Sequence, residues 1–221
     1  MDDRFVRNLG ALTEEDCALL ASKTVLLAGC GGLGGYLLEY LLRLGVGHVR
    51  AADPEDFEPT NMNRQLLCTA ESLGRSKAET AARRAAALGL PGRVSAHALR
   101  LDGDTLPELL LGCDAALDAL DSVAARRALK AACDAAGLPY VHGAASGWRA
   151  QAALSLPGDG LLDRLYPEEV PAEPGVLSFT PALGAALEAA LCVRYLCGRP
   201  VEPGRLYGLD LLGMDWFELK I

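Results

Sequence analysis

The feature that most constrains the fold is a glycine-rich turn between an apolar run and a segment with helical spacing. Residues 23–29 (KTVLLAG) form a short, continuously apolar run, which is typical of a strand buried on both faces. GCGGLGG overlaps its end, and residues 33–45 have the spacing of a helix that stops at Gly45. The next apolar run, residues 48–53, completes a strand–helix–strand unit.

Strands and helices keep alternating beyond this unit. Helices are predicted over residues 76–89, 106–112 and 122–137, and strands over residues 93–99, 114–120 and 138–144. Such alternation favours an α/β fold with a Rossmann-like, open and mostly parallel sheet that helices cover on both faces. Ligands of these sheets collect at the carboxyl ends of the strands.

The pattern changes after Gly147. We predict a strand over 148–156, a long apolar helix over 182–198 and two short final strands, which together form a C-terminal antiparallel extension. Residues 157–175 are rich in prolines and acids, and we expect an extended, exposed crossover loop rather than a helix there.

We expect one domain over residues 1–221. Residues 1–22 form an N-terminal arm and a helix capped by Thr13, residues 23–147 the nucleotide-binding part, and residues 148–221 the crossover and C-terminal part.

Composition narrows the function classes. The 221 residues are 51% hydrophobic, which is enough for a substantial core. The formal net charge of −8 disfavours a nucleic-acid partner held by a basic surface. No apolar run approaches the roughly 20 residues that span a bilayer, and residues 1–10 lack the pattern of a signal peptide. We therefore expect a cytoplasmic protein that binds neither nucleic acid nor membrane.

The glycine turn predicts a nucleotide site. Gly29, Gly31 and Gly34 fit the motif G-x-G-x-x-G between a strand and a helix, and Gly32 lies within it. Glycines let the backbone approach a phosphate closely, and the N-terminus of the next helix offers free N–H groups. Asp53 ends the second strand, where a carboxylate can accept a hydrogen bond from a ribose hydroxyl.

Polar side chains beyond the second strand favour a triphosphate. Asn61, Arg64 and Lys77 carry donors suited to phosphate oxygens, and Gln65 adjoins Arg64. Asp121 follows a predicted strand at the ligand-binding edge, and its carboxylate could hold Mg²⁺. An NAD-dependent oxidoreductase, the alternative, gives Arg64 and Lys77 no obvious task. We therefore predict ATP and Mg²⁺ as ligands.

The order of these motifs resembles the ThiF/MoeB/HesA family, the bacterial relatives of ubiquitin-activating enzymes. The resemblance covers nearly the whole chain, and the segment from Asp53 to Gln65 is its most specific element. The matching stretches are RFVRN (4–8), GCGGLGG (29–35), DPEDFEPTNMNRQ (53–65), LGRSKAE (73–79), LDALDS (117–122), VHGAASGWRAQ (141–151) and EPGVL (173–177).

The resemblance implies an adenylyltransferase. Family members use ATP and Mg²⁺ to adenylate the C-terminal glycine of a small ubiquitin-like sulfur-carrier protein that ends in Gly-Gly. They release pyrophosphate, serve pathways such as thiamine or molybdopterin biosynthesis, and usually form homodimers. One branch acts on a tRNA base instead, which the acidic charge of this chain disfavours.

Site residues carry over from the family by position. The resemblance implies that the four motif glycines hold the nucleotide, that Asp53 binds the ribose and that Asp121 serves the Mg²⁺. It implies phosphate contacts by Asn61, Arg64 and Lys77, with Gln65 beside them. Arg7 matches the arginine that reaches across the dimer into the partner's site. With Arg7, Arg64, Lys77 and Asp121 all present, a non-catalytic carrier-binding homologue is a weaker alternative.

The chain departs from the family at its cysteines. Many relatives bind a structural zinc through two CxxC pairs, but Leu161 and Arg164 stand where the first pair would be, so we predict no zinc. No cysteine lies between Cys133 and Cys192, the region in which thioester-forming relatives carry theirs. We expect the chemistry to stop at the acyl-adenylate, and the seven cysteines to be free thiols.

Two aromatic residues near the predicted site are interpreted as structural. His142 ends a predicted strand, where a lone histidine is more often packed than catalytic. Trp148 and the helix over 182–196 are expected in the core or at a dimer interface.

Overall fold

The computed structural model describes residues 2–167 and 175–221. Its strands are β1 Thr24–Ala28, β2 His48–Ala52, β3 Arg93–His97, β4 Ala115–Asp118, β5 Tyr140–Ser146, β6 Arg149–Ser155, β7 Arg205–Asp210 and β8 Asp215–Lys220. The α-helices in this part of the chain are α1 Glu14–Ser22, α2 Gly32–Leu44, α3 Lys77–Leu88, α4 Leu106–Leu110, α5 Val123–Ala136, α6 Leu161–Leu165 and α7 Phe179–Leu196.

One sheet joins all of these strands in the order β3-β2-β1-β4-β5-β6-β7-β8. The first five in this order are parallel, and β6, β7 and β8 add antiparallel strands at one side. The mostly parallel Rossmann-like sheet with an antiparallel extension is therefore confirmed. The chain order reverses between β1 and β4, which opens a crevice at their carboxyl ends.

The central strand β1 is buried because helices cover both faces of the sheet. Successive side chains of a strand point to opposite faces, so Leu26 and Leu27 belong to different apolar clusters. Leu27 packs on the side of α2 and α7, whereas Leu26 packs on the side of α4 and α5. A continuous apolar run such as TVLLA is what a strand between two such layers requires.

Helix α7 is the longest helix of the described chain and lies in this core. It packs on β5 and β6 and against α2. By length and mean hydropathy (1.2) it could also cross a membrane, but 56% of it is buried inside the protein. Packing on the sheet accounts for its apolar composition.

The N-terminal arm lies at the end of α2 that is remote from the glycine turn. Residues Asp3–Asn8 form a 3-10 helix, and the Asn8 amide donates to the carbonyl of Arg43, 3.1 Å away. Thr13 caps α1 as predicted: its hydroxyl accepts a hydrogen bond from the Asp16 N–H (3.1 Å), and the Asp16 carboxylate accepts one from the Thr13 N–H (2.9 Å).

The prediction of a non-helical crossover over 157–175 is wrong in its first half. Helix α6 lies within it, because the leucines of LLDRL form an apolar face that outweighs the flanking prolines. Leu161 is fully buried with Ala153 and Leu206, and Leu162 joins the cluster under α5. Residues 168–174 of the predicted crossover lie outside the described residues.

Candidate functional site

The glycine turn after β1 has the close backbone packing that its motif predicts. Gly29 has φ +95°, and a Cβ atom there would lie 2.6 Å from the carbonyl oxygen of Ala119. A Cβ atom on Gly34 would lie 2.0 Å from the carbonyl oxygen of Gly29. Helix α2 begins behind Gly31 without a side-chain cap, so its first N–H groups and its positive dipole end are available to an anion.

Gln65 lies over this turn and carries an unsatisfied acceptor. Its side-chain nitrogen would be 3.3 Å from a Cβ atom on Gly31. Its buried Oε1 atom has no hydrogen-bond partner among the described residues. A buried polar atom without a partner costs about 1–3 kcal/mol, and a bound ligand or water that donates to it would remove this cost. The turn and Gln65 therefore fit a polar ligand.

Asp53 stabilises the glycine turn through its carboxylate, which binds two backbone N–H groups. One carboxylate oxygen accepts a hydrogen bond from the Cys30 N–H (2.7 Å) and the other from the Glu55 N–H (2.9 Å). Burial raises the pKa of Asp53, and these hydrogen bonds oppose that rise. The carboxylate lies where the sequence predicts a ribose contact, and that contact stays a prediction.

Lys77 lies at the same place, as the first residue of α3. Only 4% of Lys77 is exposed, and its ammonium lies 2.6 Å from the carboxylate of Glu55 and 5.9 Å from the centre of the Phe57 ring. Its charge lowers the pKa of Asp53 against the larger effect of burial. Because Glu55 is exposed, a phosphate could replace it as the partner of Lys77.

Asn61 and Arg64 lie on the turn that carries Gln65. The carbonyl oxygen of Asn61 accepts hydrogen bonds from the N–H groups of Arg64 (3.1 Å) and Gln65 (2.9 Å), and its side-chain oxygen accepts one from the Glu58 N–H (3.0 Å). The guanidinium of Arg64 donates to the Thr60 carbonyl (3.0 Å) and lies on the surface of this turn. The Arg64 side chain thus donates within its own turn, one residue from Gln65, which lies over the glycine turn.

Asp121 lies past the end of β4 and is exposed. The residue at the start of this loop, Ala119, donates from its N–H to the carbonyl of Ala28, 2.9 Å away, and touches Gly29. The loop that carries Asp121 therefore adjoins the glycine turn. Within residues 2–167 and 175–221, the Asp121 carboxylate makes no hydrogen bond or ion pair.

A single carboxylate at this place suits Mg²⁺. Among the described residues, no group of three His, Cys, Asp or Glu side chains could hold a metal ion. Mg²⁺ is often bound by only one or two carboxylates, with phosphate oxygens and water completing its shell. A structural zinc site needs four protein ligands. Asp121 beside a phosphate-binding turn fits the former, and its role stays a prediction.

Arg7 is not brought to the glycine turn of its own chain. It is exposed on the N-terminal 3-10 helix, which packs at the carboxyl end of α2. The glycine turn lies at the other end of this 13-residue helix, about 20 Å away at 1.5 Å per residue. Arg7 can contribute only to a site other than its own.

The sequence analysis missed a buried polar network beneath the loop of Asp121. Asp118 is fully buried and accepts hydrogen bonds from Arg126 (2.9 Å), Tyr140 and His142 (3.0 Å). His142 also lies 3.1 Å from the hydroxyl of Tyr166. The signal was present in LDALD, since an aspartate inside a buried strand requires a cationic partner, and Arg126 is the buried arginine of the next helix.

The charges of this network balance. Although burial opposes ionisation, Arg126 holds the pKa of Asp118 below its usual value. Burial lowers the pKa of His142 and, with the nearby Asp118 carboxylate, raises the pKa of Glu188 well above its usual value. Asp118 and Arg126 therefore form a charge pair, and burial favours the neutral forms of the His142 imidazole and the Glu188 carboxyl group.

The structural interpretations of His142 and Trp148 differ in outcome. His142 is fully buried, as expected of a packed residue. Trp148 is not in the core: it is 43% exposed, and its ring lies 5.5 Å from that of Phe179. All seven cysteines are free.

The comparisons with known proteins agree with this geometry. Residues 5–221 match the ThiF family. The chain belongs to the ThiF family. This confirms the resemblance drawn from the glycine turn and the segment from Asp53 to Gln65.

Named relatives of similar length extend the comparison. The chain is 34% identical to the sulfur carrier protein adenylyltransferase of Thermus thermophilus, over 99% of this chain and 87% of that protein. It is 30% identical to the sulfur carrier protein ThiS adenylyltransferase of Escherichia coli, over 100% of this chain and 93% of the relative. The molybdopterin-synthase adenylyltransferase of Salmonella typhimurium is 28% identical, over 91% of this chain and 84% of that protein.

Solved structures show the same fold at lower identity. The crystal structure of E. coli MccB with ATP superposes with a TM-score of 0.81 at 21% identity and covers 100% of this chain and 71% of that one. At this identity the likeness concerns the fold alone.

Proposed function

We propose that this ThiF-family protein is an adenylyltransferase that activates the C-terminal carboxylate of a small ubiquitin-like sulfur-carrier protein with ATP. The observation that carries the proposal is the convergence of Asp53, Gln65 and Lys77 on the glycine turn at the switch point of the sheet. Several named relatives are sulfur-carrier adenylyltransferases, which supports the same class of substrate.

The reaction needs positioning and charge stabilisation rather than acid–base catalysis. A carboxylate is already ionised at neutral pH and would attack the α-phosphorus of ATP, which forms the acyl-adenylate and breaks the bond to pyrophosphate. The α2 N-terminus and the glycine turn would bind phosphate oxygens, and Asp53 would orient the ribose. Mg²⁺, held by Asp121, would neutralise phosphate charge.

Two cationic side chains must change partners for this role. Lys77 would leave Glu55 for the pyrophosphate end of ATP, and Arg64 would leave the Thr60 carbonyl for the phosphates. Neither present contact prevents this exchange. The Glu55 carboxylate is 61% exposed, and Arg64 donates only within its own turn. A phosphate that replaces Glu55 would keep the buried ammonium of Lys77 paired with an anion.

We propose a homodimer because Arg7 lies at the wrong end of α2 to serve its own site. In a two-fold dimer, Arg7 of each subunit could reach the nucleotide of the other. The test is direct: an Arg7→Ala subunit mixed with an Arg64→Ala subunit should recover part of the activity that both lack alone.

The carrier tail would reach the site between two anchored points of the chain. Before the undescribed residues, the hydroxyl of Tyr166 lies 3.1 Å from Nε2 of the buried His142. After them, the carbonyl of Val176 accepts one from Asn63 (3.1 Å), next to Arg64. An extended Gly-Gly tail could pass between these points toward the α-phosphate. We propose that the enzyme works in the cytoplasm, without zinc, and stops at the acyl-adenylate.

ATP–pyrophosphate exchange in the presence of a Gly-Gly carrier tests the function. Arg64→Ala should reduce the exchange rate by about 10²–10³, while Arg93→Ala, which removes an exposed arginine at the amino end of β3, should leave it unchanged. Near-normal exchange by a folded Arg64→Ala protein counts against the role of Arg64. Thermal stabilisation by NAD but not by ATP with Mg²⁺ would instead support the oxidoreductase.

A further inference from the structure

We propose that Arg126 is a positioning residue for Asp121: its guanidinium fixes the loop that presents this carboxylate to the metal. The inference rests on the proposed role of Asp121 in the adenylation site. Arg126 lies in the first turn of α5 and is 7% exposed. Its hydrogen-bond partners in the described chain belong to β4, β5 and the loop after β4, not to the glycine turn. Its effect on the site must therefore pass through the loop after β4.

The loop is held at both polar groups of the residue before Asp121. The N–H of Leu120 donates to one carboxylate oxygen of Asp118, 3.0 Å away. The carbonyl of Leu120 accepts a hydrogen bond from Nη2 of Arg126. With both of these groups bonded, the peptide plane that leads into Asp121 has a fixed orientation.

The two holding groups also fix each other. The other oxygen of Asp118 accepts a hydrogen bond from Nη1 of Arg126 (2.9 Å), which also donates to the carbonyl of Gly143 (2.8 Å). Arg126 thus spans the ends of β4 and β5 with two nitrogens of one planar group. A lysine could keep the ion pair with Asp118, but its single nitrogen cannot also reach the Leu120 carbonyl in the same geometry.

Arg126→Lys isolates this contact, and the chain supplies a matched control one residue away. Arg127 lies on the same helix, but its guanidinium bonds to Asp163 and to the carbonyl of Tyr166, both at 2.6 Å. Arg127→Lys is the same chemical change on an exposed side chain that does not touch residues 119–121. A general effect of shortening a cation on α5 would appear in both variants.

The first measurement uses the full-length protein without nucleotide. Amide hydrogen exchange should show faster exchange of the Leu120 N–H in Arg126→Lys, because the loop loses one of its two anchors, and no change in Arg127→Lys.

The second measurement is ATP affinity by calorimetry, with Mg²⁺ and with EDTA. Loss of a group that orients a metal ligand typically costs 10- to 100-fold in metal affinity. We expect Arg126→Lys to raise the Mg²⁺ concentration for half-maximal enhancement of ATP binding by about 10-fold, with affinity in EDTA unchanged.

A double-mutant cycle separates positioning from damage to the fold. If Arg126 acts through Asp121, then ATP binding by the double variant Asp121→Asn with Arg126→Lys should show the same Mg²⁺ dependence as Asp121→Asn alone. Effects that multiply in the double variant, or an Arg126→Lys protein with wild-type Mg²⁺ dependence, would overturn the inference. Wild-type Mg²⁺ dependence in Asp121→Asn would overturn it too. Absence of pyrophosphate exchange with any carrier, alongside the expected binding pattern, would refute the adenylation proposal and leave the positioning role standing.

Discussion

Replacing Gly34 by alanine tests whether close packing of α2 on the glycine turn shapes the site. A Cβ atom there would lie 2.0 Å from the carbonyl oxygen of Gly29 and 2.8 Å from its carbonyl carbon. Cβ atoms in proteins do not approach other heavy atoms more closely than about 3 Å. The helix and the turn must therefore separate by about 1 Å. Both partners are backbone atoms, and the turn is fixed further by the hydrogen bond from the Gly29 N–H to the Ala52 carbonyl (2.8 Å).

The expected cost is that of overpacking a tight core. Such substitutions cost about 1–3 kcal/mol, and for a chain of this size each kcal/mol lowers the Tm by about 2–4 °C. Gly34→Ala should therefore melt about 2–12 °C below the wild type. It should also bind ATP more weakly, since the first N–H groups of α2 move away from the turn.

Gly32→Ala is the matched control. A Cβ atom on Gly32 would meet only the Pro181 side chain, at an ordinary 3.5 Å. Alanine is favoured over glycine in a helix by up to about 1 kcal/mol, so this variant should be as stable as the wild type or slightly more stable. Thermal unfolding followed by circular dichroism measures both variants. A Gly34→Ala protein with the Tm of Gly32→Ala would refute the packing argument.

Two further predictions concern buried charge. Burial raises the pKa of Glu188 well above its usual value. The wild type therefore loses stability as pH rises from the unfolded value, about 4.3, toward the folded-state pKa, by at most about 1.4 kcal/mol per pH unit. Glu188→Gln, which cannot ionise, should become increasingly more stable than the wild type over this range. A stability difference between Glu188→Gln and wild type that does not vary with pH contradicts this. Glu55→Gln should tighten ATP binding about five-fold by calorimetry, because Lys77 exchanges a charged competing partner for a neutral one, a difference on the order of 1 kcal/mol. Weaker binding would mean that Glu55 orients Lys77.

Local sequence patterns were sufficient to predict the parallel part of the sheet and the glycine turn. The run TVLLA and the helical spacing after it determine a buried strand and its crossover helix within a few residues. The spacing from Gly34 to Asp53 could also be interpreted, because the two strands that carry the turn and Asp53 are neighbours, in register Ala28↔Ala52. Here the contact between Asp53 and the glycine turn lies within a single strand–helix–strand unit.

The errors arose where composition was weighed above periodicity or where burial depends on distant elements. Prolines and acids in 157–175 suggested an extended segment, although the leucines of α6 have a helical face. Of the two places expected for Trp148, its 43% exposure rules out the core, and a dimer interface stays a prediction. Asp118 was passed over in favour of Asp121, although it lies inside the predicted buried strand, because its partner Arg126 comes from the next helix.

The buried charge pair has a physical cause in the end of the ladder between β4 and β5. The ladder between β4 and β5 ends at Asp118↔His142, so the carbonyls of Leu120 and Gly143 lie just beyond the last strand pair. Both accept hydrogen bonds from Arg126, which supplies donors that a continued ladder would have supplied.

This role explains why an apolar replacement would fail here. Buried ion pairs can often be exchanged for packed apolar side chains without loss, but such an exchange would leave these two carbonyls without their donors, at about 1–3 kcal/mol each. Asp118 then follows as the anion that balances a guanidinium placed for its hydrogen bonds. The charge pair is therefore a consequence of the end of the β4–β5 ladder, one strand away from the switch point between β1 and β4.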